Sequence, residues 1–151
     1  VGAWCFATLG YLEPKIMTWV SFLAWASFFA AGGGPAGLAK SIACGAAGLL
    51  MAAAAVWLNT RLGGGVEGKG LVIFSALLGL LGAGLCQISR VGLLAFIPGS
   101  FIGAATFFGA GAPLDGKLAW VLLAFGCGAV MGFLSQFLGN RLTARAAPAR
   151  G

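Results

Sequence analysis

The sequence has no histidine, and only 3 acidic residues stand against 9 basic ones, so that 8% of its 151 residues are charged. A domain that faces water carries roughly 25% charged residues, because its surface has to be solvated. A chain this poor in charge cannot coat such a surface. The missing histidine excludes His-ligated haem and Ser-His or Cys-His catalysis within this chain. No carboxylate falls inside any long apolar run, whereas proton relays and cation-coupled pumps ordinarily need an Asp or Glu at membrane depth. There is no GxxxxGK[ST] loop to cradle a phosphate and no paired carboxylate for glycoside hydrolysis, so no enzymatic role is expected. The cysteines Cys5, Cys44, Cys86 and Cys127 stand singly. Without CxxC spacing they read as reduced, buried thiols, and no metal or cofactor is expected. No basic run is interleaved with aromatics. The net charge of +6 is therefore the flank of a membrane protein and implies no nucleic-acid partner.

What is abundant is apolar: 60% of the residues. Between the charges lie uncharged runs at 16–39, 41–60, 70–89, 91–114 and 118–140. Crossing a bilayer as a helix takes about 20 such residues at 1.5 Å each. A further stretch, Val1 to Leu12, is apolar but reaches only about 18 Å. It reads as a first span that lacks its beginning, and it has no basic segment before it as a signal peptide would. These runs are too long for barrel strands and do not alternate in polarity, so backbone pairing inside lipid has to be helical. The expectation is an all-α integral membrane protein of about six transmembrane helices in a single domain over 1–151, with a basic tail at 141–151. If the spans alternate, Lys15, Arg61, Lys69 and Lys117 share one side, and Lys40, Arg90, Arg141, Arg145 and Arg150 the other. That bias leans towards cytoplasmic termini.

The chain also repeats itself. Residues 21–32 (SFLAWASFFAAG) and 100–111 (SFIGAATFFGAG) match at seven of twelve positions with an offset of 79. The matches include Ser21/Ser100, Phe28/Phe107 and Phe29/Phe108. Further on, Ala43-Cys44-Gly45-Ala46 faces Gly126-Cys127-Gly128-Ala129 at an offset of 83. Copies that lie three crossings apart run in opposite directions. The spans are thus expected to form a 3+3 inverted repeat, about 1–60 and 70–140, with any solute path between the copies.

Each repeat ends in helix breakers, Gly32-Gly33-Gly34-Pro35 and Gly109 to Pro113, and the second also carries Pro98-Gly99. Broken helices at membrane depth are tolerated where they are buried or line a cavity. A simple kink at Pro98 is the plainer alternative. On a helix, Ser21, Trp25 and Phe28 share a face, as do Ser100 and Phe107. The candidate pore-lining residues are Ser21, Trp25, Phe28 and Phe29 in the first copy. In the second they are Pro98, Ser100, Thr106, Phe107 and Phe108. Alternatively, these aromatics face lipid or pack between helices. The pairs Gly99/Gly103 and Gly128/Gly132 have GxxxG spacing, which lets helices approach closely and suggests a homo-oligomer.

Trp19 to Lys40 (WVSFLAWASFFAAGGGPAGLAK) and Phe96 to Gly109 (FIPGSFIGAATFFG) carry a family resemblance. They resemble the two best-marked stretches of the YcdZ-like family of bacterial inner-membrane proteins, a domain of unknown function. FIPGSFIGA is the most specific part, and the similarity covers nearly the whole chain. The resemblance implies a small multi-span inner-membrane protein of about this length, with no established substrate and no catalytic residue to carry over. Ala43-Cys44-Gly45-Ala46 stands where the family has an Asn-Leu-Ser-Gly-like stretch, so any role of that Asn does not transfer.

Two functions follow as expectations. The first is a channel or facilitator for a small neutral solute of the size of urea, a short amide or a dissolved gas. The second is a structural or accessory subunit of a larger membrane complex. The expected partners are the lipid bilayer, a small neutral solute, and either further copies of the chain or another membrane subunit.

Overall fold

The structure, a computed structural model, describes residues 2–12, 16–65 and 67–146. Val1 of the first apolar stretch, and Lys15 and Arg150 of the charge pattern, lie outside the described residues. All regular structure among the described residues is helical. Helix α1 (Gly2–Ala7) runs on into a π-helical turn (Thr8–Leu12). It is followed by α2 (Thr18–Ala30), α3 (Gly34–Arg61), α4 (Gly68–Ile88), a 3-10 turn (Gly92–Leu94), α5 (Ile97–Gly109) and α6 (Lys117–Ala146).

Three of these, α3, α4 and α6, are long and apolar enough to cross a bilayer. α2 and α5 have 13 residues each, about 20 Å of helix, and are the short apolar helices of the fold. The apolar runs therefore do not coincide with the helices. Lys40 does not separate two spans; it lies within α3, and the break falls earlier, at Gly32 and Gly33. The reason is local. Gly32, Gly33 and Gly34 all take positive φ, which costs glycine little, and Pro35 sits in the first turn of α3, where its missing N–H is not needed. The 91–114 run is likewise helical mainly over Ile97–Gly109. Pro98 opens α5 and does not kink the interior of a helix.

The two short helices end identically. Gly32 N–H donates to the Phe29 carbonyl and Gly33 N–H to that of Phe28, both near 3.0 Å. Gly111 and Ala112 do the same to Phe108 and Phe107. This is the Schellman closure, which satisfies the last carbonyls of a helix and demands positive φ after it. Gly33 (φ 66) and Ala112 (φ 51) occupy the same place. A 13-residue helix, a Schellman end and a long helix thus occur twice, as α2–α3 and α5–α6.

Packing crosses between these hairpins. α2 lies along α6, and the contacts advance together: Ser21 meets Ala124 and Gly128, Phe28 meets Gly132, and the Gly34 amide meets Gln136. The two helices therefore run in the same direction. α5 lies along α3, where Gly103 meets Gly45 and Gly48 meets Ser100. In both cases glycine lets backbones touch, as lipid-embedded helices require when no hydrophobic force drives them together. A side chain at Gly128 would strike the Ser21 backbone, and one at Gly132 the Phe28 and Trp25 rings. The GxxxG faces expected to join copies of the chain are consumed inside it. The core is formed by Val20, Ala24, Phe28, Leu49, Phe107, Val121 and Ala124. Phe22, Leu23, Val72 and Leu80 face outward, an apolar exterior suited to lipid.

At the helix ends the exterior changes. The Arg61 guanidinium lies 5.2 Å from the Trp57 ring centre and that of Arg141 lies 4.4 Å from Phe137. Aromatic rings paired with basic residues mark headgroup level. The expected basic tail is in part helical, since residues up to Ala146 continue α6.

Candidate functional site

The repeated segments place their matched residues alike. Ser21 and Ser100, the fourth residues of α2 and α5, are both buried. Ser27 and Thr106 are buried, and Phe28 and Phe107 have no exposed surface at all. Trp25 is half-buried beside Gly132, where its ring and that of Phe28 leave no room for a side chain, and it stacks on Phe22 with ring centres 6.3 Å apart. Phe108 is half-buried, while Phe29 and Pro98 lie on the outer surface. The structure therefore brings Ser21, Phe28, Ser100, Thr106 and Phe107 into the bundle interior and leaves Phe29 and Pro98 at its edge.

The two central phenylalanines do not stack on each other. Phe28 makes edge contacts with Phe29 at 5.0 Å and Phe133 at 6.3 Å, and Phe107 with Phe108 at 5.5 Å. Each fills its own side of the interior.

The polar groups between them are hydroxyls and one amide. Ser21 Oγ donates to the Ala124 carbonyl at 3.0 Å, and so ties α2 to α6. Ser41 Oγ donates to Ser27 Oγ at 2.9 Å, joining α3 back to α2. Thr106 turns to the Ile102 carbonyl of its own helix at 2.7 Å. At the position matching Ser41, α6 carries Ala124, which has no hydroxyl to offer Thr106. Ser100 Oγ is buried with no hydrogen-bond partner, a condition that costs about 1–3 kcal/mol. At the turn between α2 and α3, Gln136 Oε1 accepts the Gly34 amide at 2.7 Å. A side chain at Gly33 would collide with the same Gln136.

Ser41 carries no signal in the charge pattern, where Lys40 ends an uncharged run. Placing the break at Gly33-Gly34-Pro35 would have put Ser41 two turns inside α3, on the way back past Ser27. Gln136 carries no signal along the chain, because its reach to the glycine turn is a tertiary contact. A second interior polar pair, Thr18 Oγ1 to Thr8 Oγ1 at 2.7 Å, holds the π-helical turn to α2.

No ionisable side chain takes part in these contacts, so the arrangement suits hydrogen bonding to neutral groups and offers no compensation for an ion. Two hollows on the outside are apolar grooves. One, of about 450 Å³, is lined by Trp4, Leu122, Leu123, Gly126, Cys127, Val130 and Met131. The other, of about 260 Å³, lies between α3 and α4 around Met51, Leu58, Leu77 and Leu81. Neither touches the candidate lining residues.

The family model for a protein of unknown function (DUF1097) matches residues 1–140. Among curated proteins, the chain is 33% identical over 149 residues to the inner membrane protein YcdZ of Escherichia coli K12, covering 97% of this chain and 82% of the relative. It is 31% identical over 138 residues to the uncharacterized protein YahC of the same organism, covering 85% of this chain and 76% of that one. No solved structure matches. With its apolar helices and this whole-length kinship, the chain is a membrane protein and belongs to the DUF1097 family, whose function is unknown.

Proposed function

We propose that the chain is a facilitator for a small neutral solute in the bacterial inner membrane. The path lies between the α2–α3 and α5–α6 hairpins, which form the cores of a 3+3 inverted repeat. The observation that carries this reading is the matched interior. Two short interrupted helices each present a buried serine and a fully buried phenylalanine to the bundle centre, among hydroxyls and without a charge. Trp19, at the start of α2, touches Gly109, at the end of α5, which supports opposite directions for the two copies. Phe28 and Phe107 close the path, and stripping an ion of water there costs several kcal/mol even after relaxation.

The test is uptake of urea and acetamide by proteoliposomes of the wild type, Phe28→Ala and Phe107→Ala. The wild type is expected to exceed protein-free vesicles, and each variant to raise flux or loosen selectivity while still inserting. Background permeability in all three would remove the reading.

A packing role in a larger assembly is favoured by one observation. α4 is the least buried of the long helices, and it presents Ser75, Gly79, Ala83 and Cys86 outward on one face. Further copies of the chain, or another membrane subunit, would seat there. No enzymatic activity is proposed.

A further inference from the structure

Ser100 stands apart from the other hydroxyls of the candidate path. Ser21 donates to α6, Ser27 and Ser41 hold each other, and Thr106 turns back on its own helix. The Ser100 side chain is fully buried, and its Oγ has no partner. Its place along the helix matches that of Ser21. Each is the fourth residue of a 13-residue helix. Each presents its backbone carbonyl to a glycine of the neighbouring long helix, Gly48 for Ser100 and Gly128 for Ser21. The hydroxyl is engaged in one copy and idle in the other.

The ordinary rescue for a helical serine is a carbonyl one turn back. At Ser100 that carbonyl belongs to Phe96, which precedes α5 in a non-helical conformation (φ −90, ψ 77) and already receives the Gly99 amide at 3.0 Å. Alanine would fill the same space without an unmatched polar group, and this chain uses alanine freely at buried positions such as Ala24, Ala52 and Ala124. A serine kept unpaired at this point is a donor and acceptor held for something that arrives.

We infer that the Ser100 hydroxyl is the solute-binding group of the path, and that the solute is a small neutral molecule bearing a carbonyl or hydroxyl oxygen, not an apolar gas. This rests on the facilitator reading. The Ser100 O–H donates to the solute oxygen, and Ser100 Oγ accepts from any N–H or O–H the solute carries. Access requires α5 to part from α3 along the seam where Gly45 meets Gly103 and Gly48 meets Ser100.

The test compares wild type with Ser100→Ala and Ser100→Cys in proteoliposomes, measuring acetamide and urea uptake against concentration and thermal unfolding of the same preparations. Ser100→Ala is expected to raise the half-saturating acetamide concentration about 10-fold, the loss of one hydrogen bond. It should also melt no lower than wild type, since no intramolecular bond is removed. Ser100→Cys, a weaker donor, should fall between. Unchanged half-saturation in Ser100→Ala, with a permeable wild type, would overturn the inference and leave the facilitator reading standing. A lower melting temperature with only the maximal rate reduced would assign Ser100 a structural role and overturn it as well. A wild type no more permeable than empty vesicles removes both.

Discussion

The contact between α2 and α6 is tight enough for a single methyl group to be decisive. A Cβ placed on Gly128 would come 2.5 Å from the Ser21 Cα and 2.6 Å from its carbonyl carbon, where carbon atoms ordinarily rest 3.5–4.0 Å apart. Backbone atoms cannot rotate away as a flexible side chain would, so Gly128→Ala has to push the helices apart by about 1 Å. The bond from Ser21 Oγ to the Ala124 carbonyl, 3.0 Å long, sits one turn away on the same seam and is carried beyond hydrogen-bonding range. Overpacking costs about 1–3 kcal/mol, and an interhelical hydrogen bond in lipid contributes roughly 0.6 kcal/mol. Gly128→Ala should therefore destabilise the fold by roughly 2–4 kcal/mol. Gly139→Ala is the reference: nothing lies within 4 Å of its Cβ position on the exterior of α6, and it should stay within about 0.5 kcal/mol of wild type. The folded fraction during SDS titration in mixed micelles reads both. Equal stability of Gly128→Ala and wild type would show that α2 and α6 do not meet backbone to backbone, and would break the packing on which the candidate path rests.

Ala112 holds the positive φ that Gly33 holds in the other copy, so Ala112→Gly should relieve left-handed strain and stabilise by up to about 1 kcal/mol; a destabilised variant in the same titration would contradict that conformation. Gln136→Leu removes the acceptor of the Gly34 amide and should cost about 1 kcal/mol. Hydrogen exchange at the Gly32–Gly34 turn should accelerate in that variant, and unchanged exchange would mean the turn does not depend on α6.

Membrane residence, helical class and the recurrence of a short helix carrying SF…FF were legible in the sequence because each depends on composition or on order along the chain. Lipid admits few backbone solutions, so long uncharged runs leave little besides helices. The matched SF…FF segments announced two similar helices, and the shared face of Ser21, Trp25 and Phe28 followed from helical spacing alone, whereas its direction did not. Family membership was also readable there, in FIPGSFIGA and the glycine-rich stretch after α2.

Helix limits were less legible. The charge pattern puts a boundary at Lys40, whereas three positive-φ glycines and a proline set it several residues earlier. A lysine one to two turns into a long helix can reach towards the interface, but a backbone committed to a Schellman closure cannot continue as helix. Only the tertiary structure decided which helix each glycine serves. Gly128 and Gly132 could equally have faced a second chain. That α2 runs along α6, and not along its sequence neighbour through the whole length, turned them inward. The same choice of partner engages the Ser21 hydroxyl, gives Ser41 to Ser27 and leaves Ser100 alone, because a hydroxyl's state depends on which carbonyl stands opposite it, and spacing along one helix says nothing about its neighbour.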